Sequence, residues 1–377
     1  MNGFVKGVYY DFLNRITKLI KTLHGPEIHQ DVDKNFLQKT AEMLSDLHGE
    51  VKEIIDSGDL DVPKLSKYYV SQFNTFHERL LNIELFRFLV IINFGEPEIY
   101  FRKKIKRIYK EINCFQVPPI ITTISNSENY FWALPNYDII AVPSGEEKSL
   151  LNMPDLFHEI GHLIYFQYEL FLKGKIEQTL KGFYDQQIVN VDLEDRNPEL
   201  KAFYREKYIR WINAWIMEFC CDMIATYLVG PAYGWSNFKL ATVGLNKNKT
   251  YKDTPSHPSD EARMRAILTM LQKTGYLTEA SQIKRSWDEF LNAANKPVPS
   301  NYDEIFPDDV IGTLADSIIS GCVAIDLRSY AEQITEHAEP ISHILNMAWD
   351  NIMAKPFQFE AWEKNVIEGI RTRVENV

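Results

Sequence analysis

Cysteine is scarce in this chain. There are four, Cys114, Cys220, Cys221 and Cys322, in 377 residues. None stands in a Cys-x-x-Cys pair, and the adjacent Cys220 and Cys221 cannot adopt ordinary bridge geometry with each other. That density excludes a disulfide framework and points to a reducing compartment. Positive charge is also short. Lys and Arg number 41 against 52 Asp and Glu, a net charge of -11 at pH 7, with a sequence pI near 5.4. Such a chain has no electrostatic footprint for nucleic acid. Its one basic cluster, Arg102, Lys103, Lys104, Lys106 and Arg107, reads as a solvated helical face. Long hydrophobic runs are missing too. The best candidate for a membrane span, Val310–Leu327, carries Asp316 and Asp326, and no stretch offers about 18–20 clean apolar residues. Asp11 and Arg15 interrupt the first apolar segment, which makes it a poor secretory leader. No internal repeat and no low-complexity tract is visible. The expectation is a cytoplasmic protein that neither inserts in a membrane nor binds nucleic acid.

What is present is ordinary globular material: 45% hydrophobic and 25% charged residues, enough chain for two or three structural units. Phe36, Leu37, Ala41, Met43, Leu44 and Leu47 recur at helical spacing, and Tyr68 to Phe94 predicts a long helix buried on more than one face. Near Cys114 the pattern changes. Phe115 to Ile124 is β-branched and extended and leads to a turn at Ser125-Asn126-Ser127. Tyr130–Leu134 and Tyr137–Val142 then flank a Pro-Asn turn, the pattern of a hairpin. Helical periodicity resumes to about Gly275, Asn295–Asn301 reads as a linker, and the remainder is helical. The fold expected is mainly α with a small β-sheet, in three parts: a helical region 1–113, a central domain 114–295 and a helical region 296–377.

The sharpest local signal is His158-Glu159-Ile160-Gly161-His162 within an apolar helical segment. Residues four apart lie one turn apart on one helical face, so His158 and His162 can share a metal ion while Glu159 reaches its water. Pro154 and Asp155 suit the first turn of that helix. The bland alternative is a buried helix with two hydrogen-bonded histidines. A catalytic site of this type needs a third protein ligand. Downstream, Trp211 to Tyr227 is almost wholly apolar, and its two acids, Glu218 and Asp222, stand four apart. Glu218 is the candidate third ligand, and Asp222 the acceptor for a ligand histidine's N–H. The rival reading is ion pairs with Arg or Lys. Cys220 and Cys221 fall off that face and read as small buried residues. In Ser256-His257-Pro258-Ser259-Asp260-Glu261-Ala262-Arg263, either His257 or Arg263 reaches the metal centre to stabilise an oxyanion, or the segment merely opens a helix. His24, His29, His48, His77, His337 and His343 lack ligand spacing and read as structural or surface residues.

Taken in order, His158-Glu159-Ile160-Gly161-His162, Glu218-x-x-x-Asp222 and His257-Pro258-x-x-x-x-Arg263 resemble the gluzincin class of zinc metallopeptidases. The closest likeness is to the HtpX-like and CAAX-prenyl-protease-like family, without its transmembrane helices. The resemblance spans roughly Ile120 to Leu271. It implies a zincin-type domain in which Tyr137–Val142 is a sheet edge above the metal helices, able to hold an extended peptide by main-chain pairing. It also implies zinc on His158, His162 and Glu218, with Glu159 as general base and then acid, and His257 and Arg263 near the site. The expected function is a soluble zinc metallopeptidase, an endopeptidase in the first instance, acting on a peptide or protein substrate. The helical flanks are candidate sites for a regulatory partner. The alternative is a catalytically silent zincin-like helical protein that acts as a binding or regulatory module.

Overall fold

The computed structural model describes residues 2–26, 28–125, 130–194, 197–243 and 250–374. The chain is mainly α with a small sheet, as the hydrophobic periodicity predicts. Contacts divide it into two compact units, one of residues 1–102 with 120–125, the other of 103–119 with 126–377.

The first unit holds α1 (Asn2–Leu23), α2 (Lys34–Asp56), α3 (Ser66–Ile83) and α4 (Leu89–Ile92), with a π-helical turn at Glu84–Phe88 between the last two. Asp33 caps α2 by accepting from the amides of Asn35 and Phe36, which satisfies donors that a helix start leaves open. Arg87 is buried at the π-turn. It donates from Nε to Thr40 Oγ1 at 2.9 Å and from Nη2 to the Phe36 carbonyl at 3.2 Å, so this interior charge has hydrogen-bond acceptors on α2. Strand β1 (Ile120–Ser125) belongs to this unit by its contacts. The unit boundary falls inside α5 (Glu96–Glu111).

Around that boundary the basic cluster departs from expectation. Lys104 is fully buried, and Arg102, Lys103 and Arg107 are partly buried. Arg102 pairs with Asp33, and Arg107 with Glu111. Charge count alone hides this, because a long basic side chain can bury its stem along apolar surface.

The second unit carries β2 (Trp132–Leu134) and β3 (Ile139–Pro143), paired antiparallel with Trp132 opposite Ala141 and Leu134 opposite Ile139. Pro135–Tyr137 makes the turn, and Asp138 closes it in the left-handed region. The hairpin is where the Pro-Asn turn between two short runs placed it; the preceding turn lies, from Asn126 on, outside the described residues. One expectation fails. Tyr137–Val142 is not an exposed edge, since Ile139, Ile140, Ala141 and Val142 are all fully buried. Four consecutive apolar residues mark a strand covered on both faces.

The helices that follow are α6 (Pro154–Leu172), α7 (Ile176–Glu194), α8 (Pro198–Arg210), α9 (Ile216–Val229), α10 (Pro231–Val243), α11 (Asp260–Lys273), α12 (Leu277–Ala294), α13 (Tyr302–Ile305), α14 (Asp308–Ala324), α15 (Tyr330–Glu336), α16 (Ile341–Ala354) and α17 (Phe359–Val374). A π-turn at Trp211–Trp215 joins α8 to α9 in one continuous helix. That helix, Pro198–Val229, is long and apolar enough to cross a membrane by length and composition, and 78% of its apolar window is buried within the protein. An uninterrupted apolar run was the wrong search image, because this helix contains Glu218 and Asp222. Its aromatic face meets the segment after residue 296. Trp211 stacks on Phe219 at 4.8 Å, Trp215 lies 5.0 Å from Phe306, and Trp211 Nε1 donates to the Ile305 carbonyl at 2.8 Å. Buried indoles find hydrogen-bond partners in this way.

Candidate metal centre

Helices α6 and α9 pack tightly together, and Gly161 sets how closely. A Cβ at that position would stand 3.1 Å from Cys221 Cα, 3.2 Å from its carbonyl oxygen and 3.3 Å from its Cβ. The glycine inside the histidine motif therefore lets the two backbones approach. That approach brings Glu218 on α9 beside His158 and His162 on α6. The imidazole rings lie 4.8 Å apart and nearly perpendicular, at 87°. Glu218 Oε2 is 3.5 Å from His158 Nε2, and Glu218 Oε1 is 3.7 Å from His162 Nε2. One donor atom from each side chain falls within 4.8 Å of the others. Ligands about 2.0–2.1 Å from a tetrahedral zinc stand about 3.3 Å apart, so the triangle needs only small side-chain movement to close on an ion. Among the described residues, this is the group of His, Cys, Asp and Glu side chains placed to share one.

The donor chemistry fits as well. Glu218 Oε2 is buried and makes no hydrogen bond among the described residues. An orphaned carboxylate oxygen is costly unless a cation meets it. Burial opposes ionisation of Glu218, but the adjacent His158 more than reverses that and pushes its pKa down to about 2. Burial likewise opposes ionisation of Asp222, and Arg263 holds its carboxyl well below the ordinary range. For His158 burial alone would favour the neutral ring, yet the carboxylates of Asp222 and Glu218 raise it to about 10. His162 goes the other way. Burial lowers it to about 4, with the charge of His158 adding to the effect. Two fixed carboxylates thus draw positive charge to one point between the helices, and cation binding there competes with protons.

Asp222 organises the layer behind His158 and Glu218. Its Oδ1 lies 3.0 Å from His158 Nδ1, leaving His158 Nε2 directed at Glu218. Arg263 donates to it twice, from Nε to Oδ2 at 2.8 Å and from Nη2 to Oδ1 at 2.6 Å. Tyr233 donates to Oδ1 at 2.5 Å and stands 3.1 Å from His158 Nδ1. Partners of this kind fix the tautomer and orientation of a ligating imidazole. Arg263, which starts from α11, therefore reaches the centre through Asp222. Its helix is capped by Ser259, which accepts from the Ala262 amide.

Glu159 is buried beside the ligands, and burial raises its pKa to about 7, with Glu218 and Asp155 reinforcing the shift against His158. A carboxyl poised there can take a proton and return it near neutrality. His257 sits at the mouth. Its side chain is 56% exposed, with Nε2 3.8 Å from Glu218 Oε2. The loop that carries it is tied to the continuous helix: Trp215 Nε1 donates to the Thr254 carbonyl at 2.9 Å, and Lys207 and Arg210 both pair with Asp253.

The sequence brought forward seven residues, His158, Glu159, His162, Glu218, Asp222, His257 and Arg263, and the structure gathers all seven around one cavity or directly behind it. Two were missed. Tyr233 comes from α10, turned back by Gly230 at φ +68, and no spacing rule announces it. Asp155 was read only as a favourable charge at a helix start. It is in fact buried and accepts from Ser236 Oγ at 2.8 Å. Burial raises its pKa to about 7. The cavity over these groups measures about 410 Å³ and is walled by Phe131, Trp132 and Ala133 of the hairpin on one side and Met217 and Leu240 on the other. No protein-family model, no curated protein and no solved structure matches the chain.

Proposed function

We propose that this protein is a zinc-dependent peptidase that hydrolyses its substrate in the cavity between α6, α9 and the hairpin. The observation that carries the reading is the buried carboxylate of Glu218. It faces His158 and His162, makes no hydrogen bond at Oε2, and shares a walled cavity with a second carboxyl, Glu159, of raised pKa. His158, His162 and Glu218 would hold the ion. Zinc there would supply Lewis acidity to a carbonyl and acidify water toward neutral pH. Glu159 takes the proton from the attacking water and passes it to the leaving amine. Asp222, held by Arg263 and Tyr233, keeps His158 turned toward Glu218. His257 stands at the mouth, where a donor can meet developing negative charge. The surrounding burial excludes water and strengthens each of these interactions.

The test is metal content by mass spectrometry on purified wild type, His158→Ala and Glu218→Ala, joined to peptide hydrolysis by wild type and Glu159→Gln. About one zinc per chain in wild type, lost in both ligand variants, is the expected result, with Glu159→Gln keeping zinc and losing turnover. No zinc in wild type after supply would overturn the reading. Zinc with no Glu159-dependent hydrolysis of any peptide would favour a binding module instead.

A further inference from the structure

A second cavity of about 490 Å³ lies farther along the same motif helix, floored by Leu163, Phe166 and Gln167 and roofed by the segment from Phe115 to Pro119. Pro135, at the hairpin turn, lines both this cavity and the one over the metal centre. The two cavities therefore adjoin at one side chain. Phe166 lies four positions after His162 on α6, about 6 Å of helix. An extended peptide covers that in about two residues.

The chemistry of this cavity is unlike that of a core defect. Phe115, Val117 and Phe166 are 77%, 80% and 60% exposed, a contiguous apolar surface of the kind that marks a binding site. Two donors that line the cavity have no partner among the described residues. Tyr109 is 2% exposed and its hydroxyl makes no hydrogen bond among the described residues; Gln116 Nε2 is buried and equally unpaired among them. Two unsatisfied donors in one cavity call for acceptors from outside. Asp138 also lines it, and its carboxylate disfavours an anion. A neutral carbonyl oxygen meets all three conditions.

We propose that this second cavity is a substrate subsite. It takes a bulky apolar side chain about two to three residues from the bond that is cut, and Tyr109 and Gln116 donate to the backbone carbonyls that flank it. The proposal deepens the peptidase reading and rests on it for the position of the cut. A peptide bound here lies across Pro135 into the metal centre, with its apolar residue against Phe115, Val117 and Phe166. The substrate class is thus an extended, uncharged segment with one large apolar residue, not a free amino-acid terminus.

The probes are fluorescein-labelled, end-blocked octapeptides of Ala, Ser and Gly, with a single Phe stepped through the eight positions. Binding is read by anisotropy on zinc-loaded Glu159→Gln, and cleavage on wild type. Phe at one or two positions should tighten binding at least tenfold over the Phe-free peptide. Phe166→Ala and Tyr109→Phe should each erase most of that gain while leaving zinc content unchanged. Tyr109→Phe also guards against misfolding as an explanation, since removing an unpaired buried hydroxyl should not lower the melting temperature. Binding that ignores the position of Phe, or that both variants leave intact, would overturn the subsite. So would a Phe166→Ala variant that alters only self-association, which would make the patch a contact between two copies. Phe-dependent binding without wild-type hydrolysis would leave the subsite standing and remove the peptidase reading alone.

Discussion

Arg263 grips Asp222 with two of its guanidinium nitrogens, at 2.8 and 2.6 Å, and Asp222 in turn faces His158 Nδ1 at 3.0 Å. The arginine therefore acts on His158 at one remove. Arg263→Ala leaves a wholly buried carboxylate without its cation, and breaking such a pair costs about 3–5 kcal/mol. Urea denaturation should show a loss of that order. Asp222→Asn keeps the shape and removes the charge, and should weaken zinc binding about 10–100-fold, read by competition with a chelator. Unchanged zinc affinity there would refute the positioning role.

His257 separates cleanly from the ligands. It is more than half exposed and lies 3.8 Å from Glu218 Oε2. His257→Ala should keep its zinc and shift stability by no more than about 0.5 kcal/mol, while kcat drops by about 10²–10³ if the ring stabilises the oxyanion. Loss of zinc together with activity would make His257 a ligand.

Gly161→Ala tests the helix spacing. In an open helix the change would stabilise by about 1 kcal/mol. Here the new methyl group meets Cys221 backbone at 3.1 and 3.2 Å, and overpacking of that kind costs about 1–3 kcal/mol. Thermal melting should fall, and zinc occupancy with it as Glu218 is pushed from the histidines. A variant as stable as wild type would show that α6 and α9 can part freely.

Asp155 gives a pH signature. Burial raises its carboxyl from an ordinary 3.8 to about 7. A carboxyl raised in the folded state contributes stability in full below its unfolded pKa, and that contribution is lost as pH climbs through about 7. Asp155→Asn cannot titrate. In chelated protein its melting temperature should therefore fall less than that of wild type between pH 4 and pH 7.5. Parallel curves would contradict the shift.

Much of this site was legible because its chemistry is written at helical spacing. His158 and His162 four apart, and Glu218 and Asp222 four apart on an otherwise apolar helix, each place two groups on one face before any tertiary contact is known. The hairpin at Pro135 was legible from its Pro-Asn turn between two short apolar runs. Tyr233 was not, because its approach depends on the reversal at Gly230, which a single sequence marks only as a helix end. Nor was the burial of Lys104 or Asp155, since one residue's solvent exposure is decided by neighbours far along the chain. The inner position of Ile139–Val142 was readable from its four apolar residues in a row; the family likeness pointed the other way.

The π-turn at Trp211–Trp215 amounts to one extra residue wound into a long rod. Upstream of it, Lys207 and Arg210 hold Asp253; downstream, Glu218 faces the histidines. The wider turn takes up that residue, so excising one residue within it would leave the flanking α-helical faces in phase, whereas excision at another point between Lys207 and Glu218 would swing the upstream half by about 100°. The loop with His257 would lose its moorings while Glu218 stayed in place. Trp211–Trp215 is thus where this rod tolerates a change of length, and a single deletion elsewhere between Lys207 and Glu218 would part Asp253 from its two cations.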